Sequence, residues 1–110
     1  MVKYIPTKGD IVTLDFDPQS GHEQKGRRPA LILSNKTFNQ HLGLAFACPI
    51  TSTKRDFPFH IKIETSKISG FIMAEQLKSI DYNSRKVKFV EKIDSETLEE
   101  VEAIIKAIMK

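Results

Sequence analysis

Two adjacent arginines, Arg27 and Arg28, close a polar stretch that begins at Asp17 and holds His22, Glu23 and Lys25 between Gly21 and Gly26. A guanidinium can hold two phosphate oxygens at once, and a carboxylate or imidazole beside it can move a proton. The chemistry those residue types could do together is the binding and cleavage of a phosphate ester. A second segment, Thr51-Ser52-Thr53-Lys54-Arg55-Asp56, again mixes hydroxyls with cations. Both kinds of group bind phosphate oxygens well. If the two segments meet at one end of the fold, they form a groove for a polyanion, with Lys25, Arg27, Lys54 and Arg55 as candidate phosphate contacts.

Other chemistries find less support. Cys48 is the sole cysteine, which excludes an intrachain disulfide. It lies in the apolar run Leu44–Pro49 with no base near it in sequence, so it reads as a small buried strand residue. His22, His41 and His60 stand apart, without the spacing of a zinc site. No metal and no cofactor are expected. No apolar run approaches the ~20 residues of a membrane span, and none follows the N-terminus as a targeting segment would, so a cytoplasmic protein is expected.

The charge is unevenly placed. Residues 94–110 carry five carboxylates against two lysines, a net −3, which leaves +6 on residues 1–93 of a chain whose total is +3. A body with that excess attracts polyanions, of which nucleic acid is the common one.

The elements that must position these residues are mostly strands. Val12, Leu14 and Phe16 alternate within Asp10–Phe16, as in a half-buried strand. Pro29–Ser34 reads as a central strand, with its proline tolerated at the first position. Leu42–Ile50, Phe59–Glu64, Gly70–Ala74 and Lys86–Val90 bring the expected number to about six. The twelve-residue connection Asp17–Arg28 is long for a hairpin, where about 2–5 is usual. Near the end the period changes: Leu98, Val101, Ile105 and Ile108, with Ile104 beside them, mark one face of a helix. Asp94 suits its N-cap, and acids early with lysines late suit its dipole. The expectation is one domain over 1–110, a small β-barrel over 1–93 followed by a helix over 94–110.

Several ordered motifs now bear on identity. Gly9-Asp10-Ile11-Val12, Asp15-Phe16-Asp17-Pro18, Gly21 to Ala30 with its Arg28-Pro29 step, and Leu33-Ser34 resemble the MazF/PemK family of ribonuclease toxins. Cys48-Pro49-Ile50-Thr51-Ser52 resembles that family's Pro-x-Thr segment, and Gly70 to Ile80, with Ala74-Glu75-Gln76-Leu77-Lys78-Ser79-Ile80, resembles another of its signatures. The resemblance runs nearly end to end. It implies an SH3-like β-barrel with a C-terminal helix, acting as a homodimer. It implies sequence-specific, metal-independent cleavage of single-stranded RNA, by attack of a 2′-hydroxyl on the adjacent phosphate to leave a cyclic phosphate and a 5′-hydroxyl. A cognate antitoxin of the MazE kind would inhibit by laying an acidic segment over the RNA groove. By the same resemblance Arg28 and Thr51 are the catalytic positions, Glu23 is the family's loop glutamate, and Phe16, Asp17, Gln76, Lys78 and Arg85 are RNA contacts. Arg27 and His22 fall where relatives vary.

The chemistry sorts these roles. Transesterification needs a base for the 2′-hydroxyl, stabilisation of the phosphorane and a proton for the leaving oxygen. Arg28 suits the second task, and the Thr51 hydroxyl can donate there too. A guanidinium holds its proton at neutral pH, so Glu23 is the alternative base. Phe16 could offer a face on which a base stacks. Gln76 and Lys78, two apart in a strand-like segment, would share a side. Rival readings are a gyrase poison of the CcdB type, an SH3-like peptide-binding module and a toxin homologue that only binds. The first depends on a C-terminal tryptophan and the second on an aromatic-lined groove. The chain has no tryptophan and two tyrosines.

Overall fold

The computed structural model describes residues 3–15, 27–53 and 58–110. The seven strands are β1 (Asp10–Leu14), β2 (Arg28–Ile32), β3 (Ala45–Thr51), β4 (His60–Glu64), β5 (Ser69–Met73), β6 (Lys78–Ile80) and β7 (Lys88–Lys92). Two helices, α1 (Lys36–Leu42) and α2 (Ser95–Met109), and a 3₁₀ turn at Ala74–Gln76 complete the elements. The strand order is β4-β5-β3-β2-β1-β7, with β6 pairing β3 off that path. All pairings are antiparallel.

The curl of the sheet comes from β3. One edge of it pairs with β2, from Ala30↔Pro49 to Ile32↔Ala47. Its other edge pairs first with β6, at Ala45–Ala47, and then with β5, at Ile50 and Thr51. One strand thus belongs to two sheets, which wraps the whole into a half-barrel. The tip of the β4–β5 hairpin is fastened to β7 by the Thr65 hydroxyl, which donates to the Glu91 carboxylate.

Both faces of the central strands are buried. Ile11, Leu31, Cys48 and Ile50 pack with Ile61, Ile63 and Ile72 against Val101 of α2. Val12, Leu14, Ala30, Ile32, Ala45 and Ala47 face the other way, against Ile80 and Tyr82. A half-buried β1 was the expectation; it is buried on both sides, because Tyr4, Ile5 and Tyr82 cover the face away from the helix.

Helix α2 follows its sequence signals. The Asp94 carboxylate accepts from the Thr97 N–H at 2.9 Å and from its hydroxyl at 2.8 Å. Leu98, Ile104 and Ile105 pack on the core beside Val101. Its last turn overhangs: Ile108 is 44% exposed and Met109 75%. No helix among the described residues is long and apolar enough to cross a membrane.

Three elements differ from expectation. The strand expected over Leu42–Ile50 starts at Ala45, because residues 36–42 form α1. Asn35 caps it by accepting from the Phe38 N–H at 2.8 Å, and Gly43 ends it with φ +69°. The last strand begins at Lys88 instead of Lys86. Lys86 has φ +55° inside a turn in which the Arg85 N–H reaches the Asp81 carbonyl, which delays the extended run. Strand β6 brings the strands among the described residues to seven, where about six were expected.

Candidate active site

Arg28 and Thr51 lie 23 positions apart in the chain, and the sheet removes that separation. Their strands are neighbours, in a register running Ile32↔Ala47, Leu31↔Cys48, Ala30↔Pro49. Pro29 has no N–H to continue the ladder. The same register carried two residues further sets Arg28 abreast of Thr51. Alternation puts Arg28 on the face of Ala30 and Ile32, and Thr51 on the face of Ala45 and Ala47, which is one and the same face.

Thr51 is held firmly. It is 8% exposed, its hydroxyl oxygen accepts from the Thr53 N–H at 3.2 Å, and it pairs with Phe71 of β5. Next to that pair stands Gly70. A Cβ on Gly70 would lie 2.5 Å from the Thr51 carbonyl oxygen. The absent side chain lets β5 approach the end of β3, and so fixes where Thr51 sits.

A cleft of about 320 Å³ opens at this end of the sheet. Arg27, Arg28 and Pro29 line it from the start of β2, and Ile50 and Ser52 from the end of β3. Lys67, Ile68 and Ser69 line it from the turn into β5. Ser52, Lys67 and Ser69 were not singled out as site residues by sequence. Lys67 and Ser69 stand in a short turn without a motif, and only the hairpin's return toward β2 brings them here. That turn is ordered by the Thr65 hydroxyl oxygen, which accepts from the backbone N–H groups of Lys67 at 3.1 Å and Ile68 at 2.9 Å. The hydroxyls and cations around the cleft can hold phosphate oxygens.

Arg27 is engaged differently from its neighbour. Its Nη2 donates to the Thr13 carbonyl at 2.7 Å and to the Lys86 carbonyl. Nη2 and Nε also reach the Thr13 hydroxyl, at 3.3 and 3.4 Å. Nη1 lies 3.5 Å from the Asp15 carboxylate. Arg85 works in the same cluster. It donates from Nη1 to the Asp15 carbonyl at 3.2 Å and accepts the Asp15 N–H on its own carbonyl at 3.0 Å.

The remaining candidates are scattered. Gln76 is exposed in the 3₁₀ turn and Lys78 is exposed at the start of β6. The alternation that would give them a common side does not hold, because the chain turns between them. Beside Gln76, the Glu75 Oε2 lies 2.9 Å from Nε2 of His60 on β4. The Cys48 thiol is pushed up to about 12, first by burial and then by the Glu75 charge, which leaves it a packing group. His41 sits on the exposed face of α1 with Nδ1 3.1 Å from the Thr37 carbonyl. Phe16, Asp17, Glu23, Lys25 and Lys54, along with His22 and Arg55, lie outside the described residues. Among the described residues no three His, Cys, Asp or Glu side chains gather closely enough to hold a metal ion.

The chain is 36% identical over 83 residues to the endoribonuclease toxin MazF of Escherichia coli (strain K12), covering 76% of this chain and 75% of that protein. It is 35% identical over 109 residues to the endoribonuclease toxin ChpB of the same organism, covering 94% and 93%. The crystal structure of MazF from Deinococcus radiodurans superposes with a TM-score of 0.87 at 37% identity, over 97% of this chain and 98% of that one. A MazE–MazF crystal structure from that organism gives 0.86 at 32% identity, over 97% of each. With a match that runs over residues 7–109, the chain belongs to the family of PemK-like, MazF-like toxins of type II toxin–antitoxin systems.

Proposed function

We propose that the protein is the toxin of such a system, a sequence-specific endoribonuclease that cuts single-stranded RNA without a metal ion. The observation that carries this is that Arg28 opens β2 and Thr51 closes its neighbour β3, at the end of the sheet where a cleft lined by Arg27, Arg28, Ser52, Lys67 and Ser69 opens. The relatives named above are endoribonucleases, and on the resemblance of their motifs Arg28 and Thr51 are the proposed catalytic pair.

In the proposed reaction the 2′-oxygen of one nucleotide attacks the adjacent phosphorus as its proton passes to a base. The bond from phosphorus to the 5′-oxygen breaks, and that oxygen gains a proton. The products are a cyclic phosphate and a 5′-hydroxyl. Arg28 stabilises the charge that builds on the phosphorane oxygens, with a further hydrogen bond from the Thr51 hydroxyl. Glu23 is the proposed base. Phe16, Asp17, Lys25, Lys54, Gln76, Lys78 and Arg85 are the proposed RNA contacts; Arg27, read from sequence as a further one, lines the cleft. A Glu23→Gln variant that keeps the full rate from pH 5 to pH 8 would remove Glu23 from the base role.

The whole chain, 1–110, is proposed to act as one unit in the cytoplasm, where the RNA is, and as a homodimer. An apolar groove supports the dimer. Leu33, Phe46, Leu77 and Ile105 line about 330 Å³ of it, and Ile108 and Met109 extend it along α2. Such a surface on a small body is commonly covered by a partner. A MazE-like antitoxin with an acidic segment is the proposed inhibitor, its charge complementary to the excess of positive charge on residues 1–93.

The test is direct. Purified protein is incubated with a long single-stranded RNA in excess EDTA and the cut ends are mapped. Cleavage at a short recurring sequence, with 5′-hydroxyl ends, is the expected result. Intact RNA would overturn the reading and leave a protein that acts by binding.

A further inference from the structure

We propose that Arg27 is a positioning residue for Arg28, a clasp whose guanidinium acts on the protein and not on the RNA. The inference rests on the ribonuclease reading above and goes beyond it. Relatives and chemistry direct attention to Arg28, while Arg27 presents itself in sequence as one more phosphate contact. Its geometry argues otherwise.

A guanidinium has five N–H donors in a rigid planar fork. Those of Arg27 reach the Thr13 carbonyl at 2.7 Å, the Thr13 hydroxyl, the Lys86 carbonyl and, from Nη1, the Asp15 carboxylate. These partners belong to two separate segments: the end of β1, and the turn that precedes β7. Lys86 offers its carbonyl from a left-handed conformation, φ +55°, and Arg85 next to it is bonded to both backbone groups of Asp15. One planar group therefore ties three stretches of chain, residues 13–15, 85–86 and 27. The Arg27 side chain is 31% exposed and its bonds lie at the surface, so it is their number in one planar group, and not burial, that holds the side chain in place.

The consequence falls on Arg28. Leu14 is the register partner of Arg28, and Thr13 that of Pro29, so the clasp grips the strand that Arg28 leans on. With residue 27 tied down, the peptide that carries Arg28 has its position set from one side by Arg27 and from the other by the ladder of β2. A charge-stabilising arginine works only when its N–H groups are aimed before the reaction begins. Arg27 supplies that aim.

Lysine separates the two roles. It keeps the positive charge but is a single point donor on a flexible stem, and it cannot bridge Thr13, Asp15 and Lys86 together. The experiment compares wild type, Arg27→Lys, Arg27→Gln and Thr13→Val on a short RNA that carries one mapped cut site. Rates are measured with enzyme saturating. Binding is measured over a range of salt with the same strand lacking the 2′-hydroxyl at the cut. A clasp predicts that Arg27→Lys and Arg27→Gln both lower the rate of the bound complex by roughly 10- to 100-fold. It predicts that the salt dependence of binding keeps its wild-type slope. Thr13→Val removes one acceptor and no charge, and is expected to reproduce part of the rate loss.

A phosphate contact predicts the reverse. Arg27→Lys would then cut like wild type, and Arg27→Gln would lower the salt slope by about 0.7, the value for one contact to a single strand. That pattern overturns the proposal, as does a wild-type rate in both Arg27→Lys and Thr13→Val. Should Arg27→Gln fold poorly, Arg27→Lys and Thr13→Val still decide. A wild type that cuts no RNA overturns the ribonuclease reading itself, a result that none of the variants can imitate.

Discussion

Gly70→Ala tests whether the approach of β5 to β3 sets the reactive geometry. The added Cβ would lie 2.5 Å from the Thr51 carbonyl oxygen and 3.2 Å from Cγ2 of Ile50. Ordinary contact begins near 3.4 Å, so the strands must part by about 0.9 Å. The obstructing atom is backbone at the end of a paired strand, which cannot swing aside as a side-chain tip would. Overpacking of this kind costs about 1–3 kcal/mol. At about 2 kcal/mol the melting temperature of a domain this size falls by roughly 10 °C. The displacement is applied to Thr51 itself, and a misplacement near 1 Å can cost on the order of 100-fold in rate. The assay pairs a thermal melt with single-turnover cleavage of RNA, run well below the variant's melting point. Gly43→Ala is the control. Its φ of +69° penalises alanine by about 1 kcal/mol, nothing lies within 4 Å of the new Cβ, and the site lies elsewhere. It should lose stability and keep its rate. A Gly70→Ala protein that melts and cuts like wild type would refute the packing argument. One that melts lower yet cuts at the wild-type rate would show that Thr51 is not held by this contact.

Other outcomes follow from single groups. Arg28→Ala is expected to abolish cleavage while its melting temperature stays within a few degrees of wild type, read by the same two assays. Lys67→Ala should weaken RNA binding and lower its salt slope by about 0.7, since Lys67 lines the cleft; an unchanged slope would exclude a phosphate contact there. Cys48, with its thiol pushed up to about 12, should resist a thiol reagent at pH 8 in the folded protein and react at once in denaturant. The Asp94 carboxyl is held below its ordinary value, first by the Thr97 N–H and then by the Thr97 hydroxyl. Its contribution is therefore complete above the unfolded value near ~3.9 and is lost as pH falls through the lower folded value. Asp94→Asn should flatten the acid side of the stability–pH curve in that window, measured by denaturation at a series of pH values.

Much of the local structure was legible in the residues. The helix over 95–109 follows from an apolar face of period 3.6 and an Asp cap, both of which act within one turn of the chain. Alternation located β4 within a residue of its observed start. The motifs that contain Arg28 and Thr51 are short stretches, and their resemblance to a toxin family needed no coordinates. Helix α1 was missed because its signals are weak: an Asn cap, a closing glycine and only Phe38 and Leu42 at apolar spacing over seven residues. Tertiary bonds supply what its own sequence lacks. The buried Asn39 amide donates to the carbonyls of Pro6 at 2.7 Å and Ser34 at 3.0 Å.

What the fold alone decided is which of several similar side chains meet. Arg27 and Arg28 are chemically identical neighbours, and in sequence only the resemblance of the Arg28-Pro29 step to a family motif separates them. In the fold Arg27 precedes β2 and bonds to Thr13 and Asp15, Arg28 opens β2 opposite Leu14, and both line the cleft. Lys67 gains its place at the cleft from a hairpin that returns across the sheet, and Gly70 its importance from a strand pairing made 19 positions away. Contacts of that range depend on register, which propensity and spacing do not specify: one residue of slip would exchange the faces of every side chain on the strand. The sequence determined that two arginines and a threonine segment are present and, by resemblance, which arginine is the catalytic candidate; the pairing of β2 with β3, and the bonds from Arg27 to Thr13 and Lys86, are what only the tertiary structure decided.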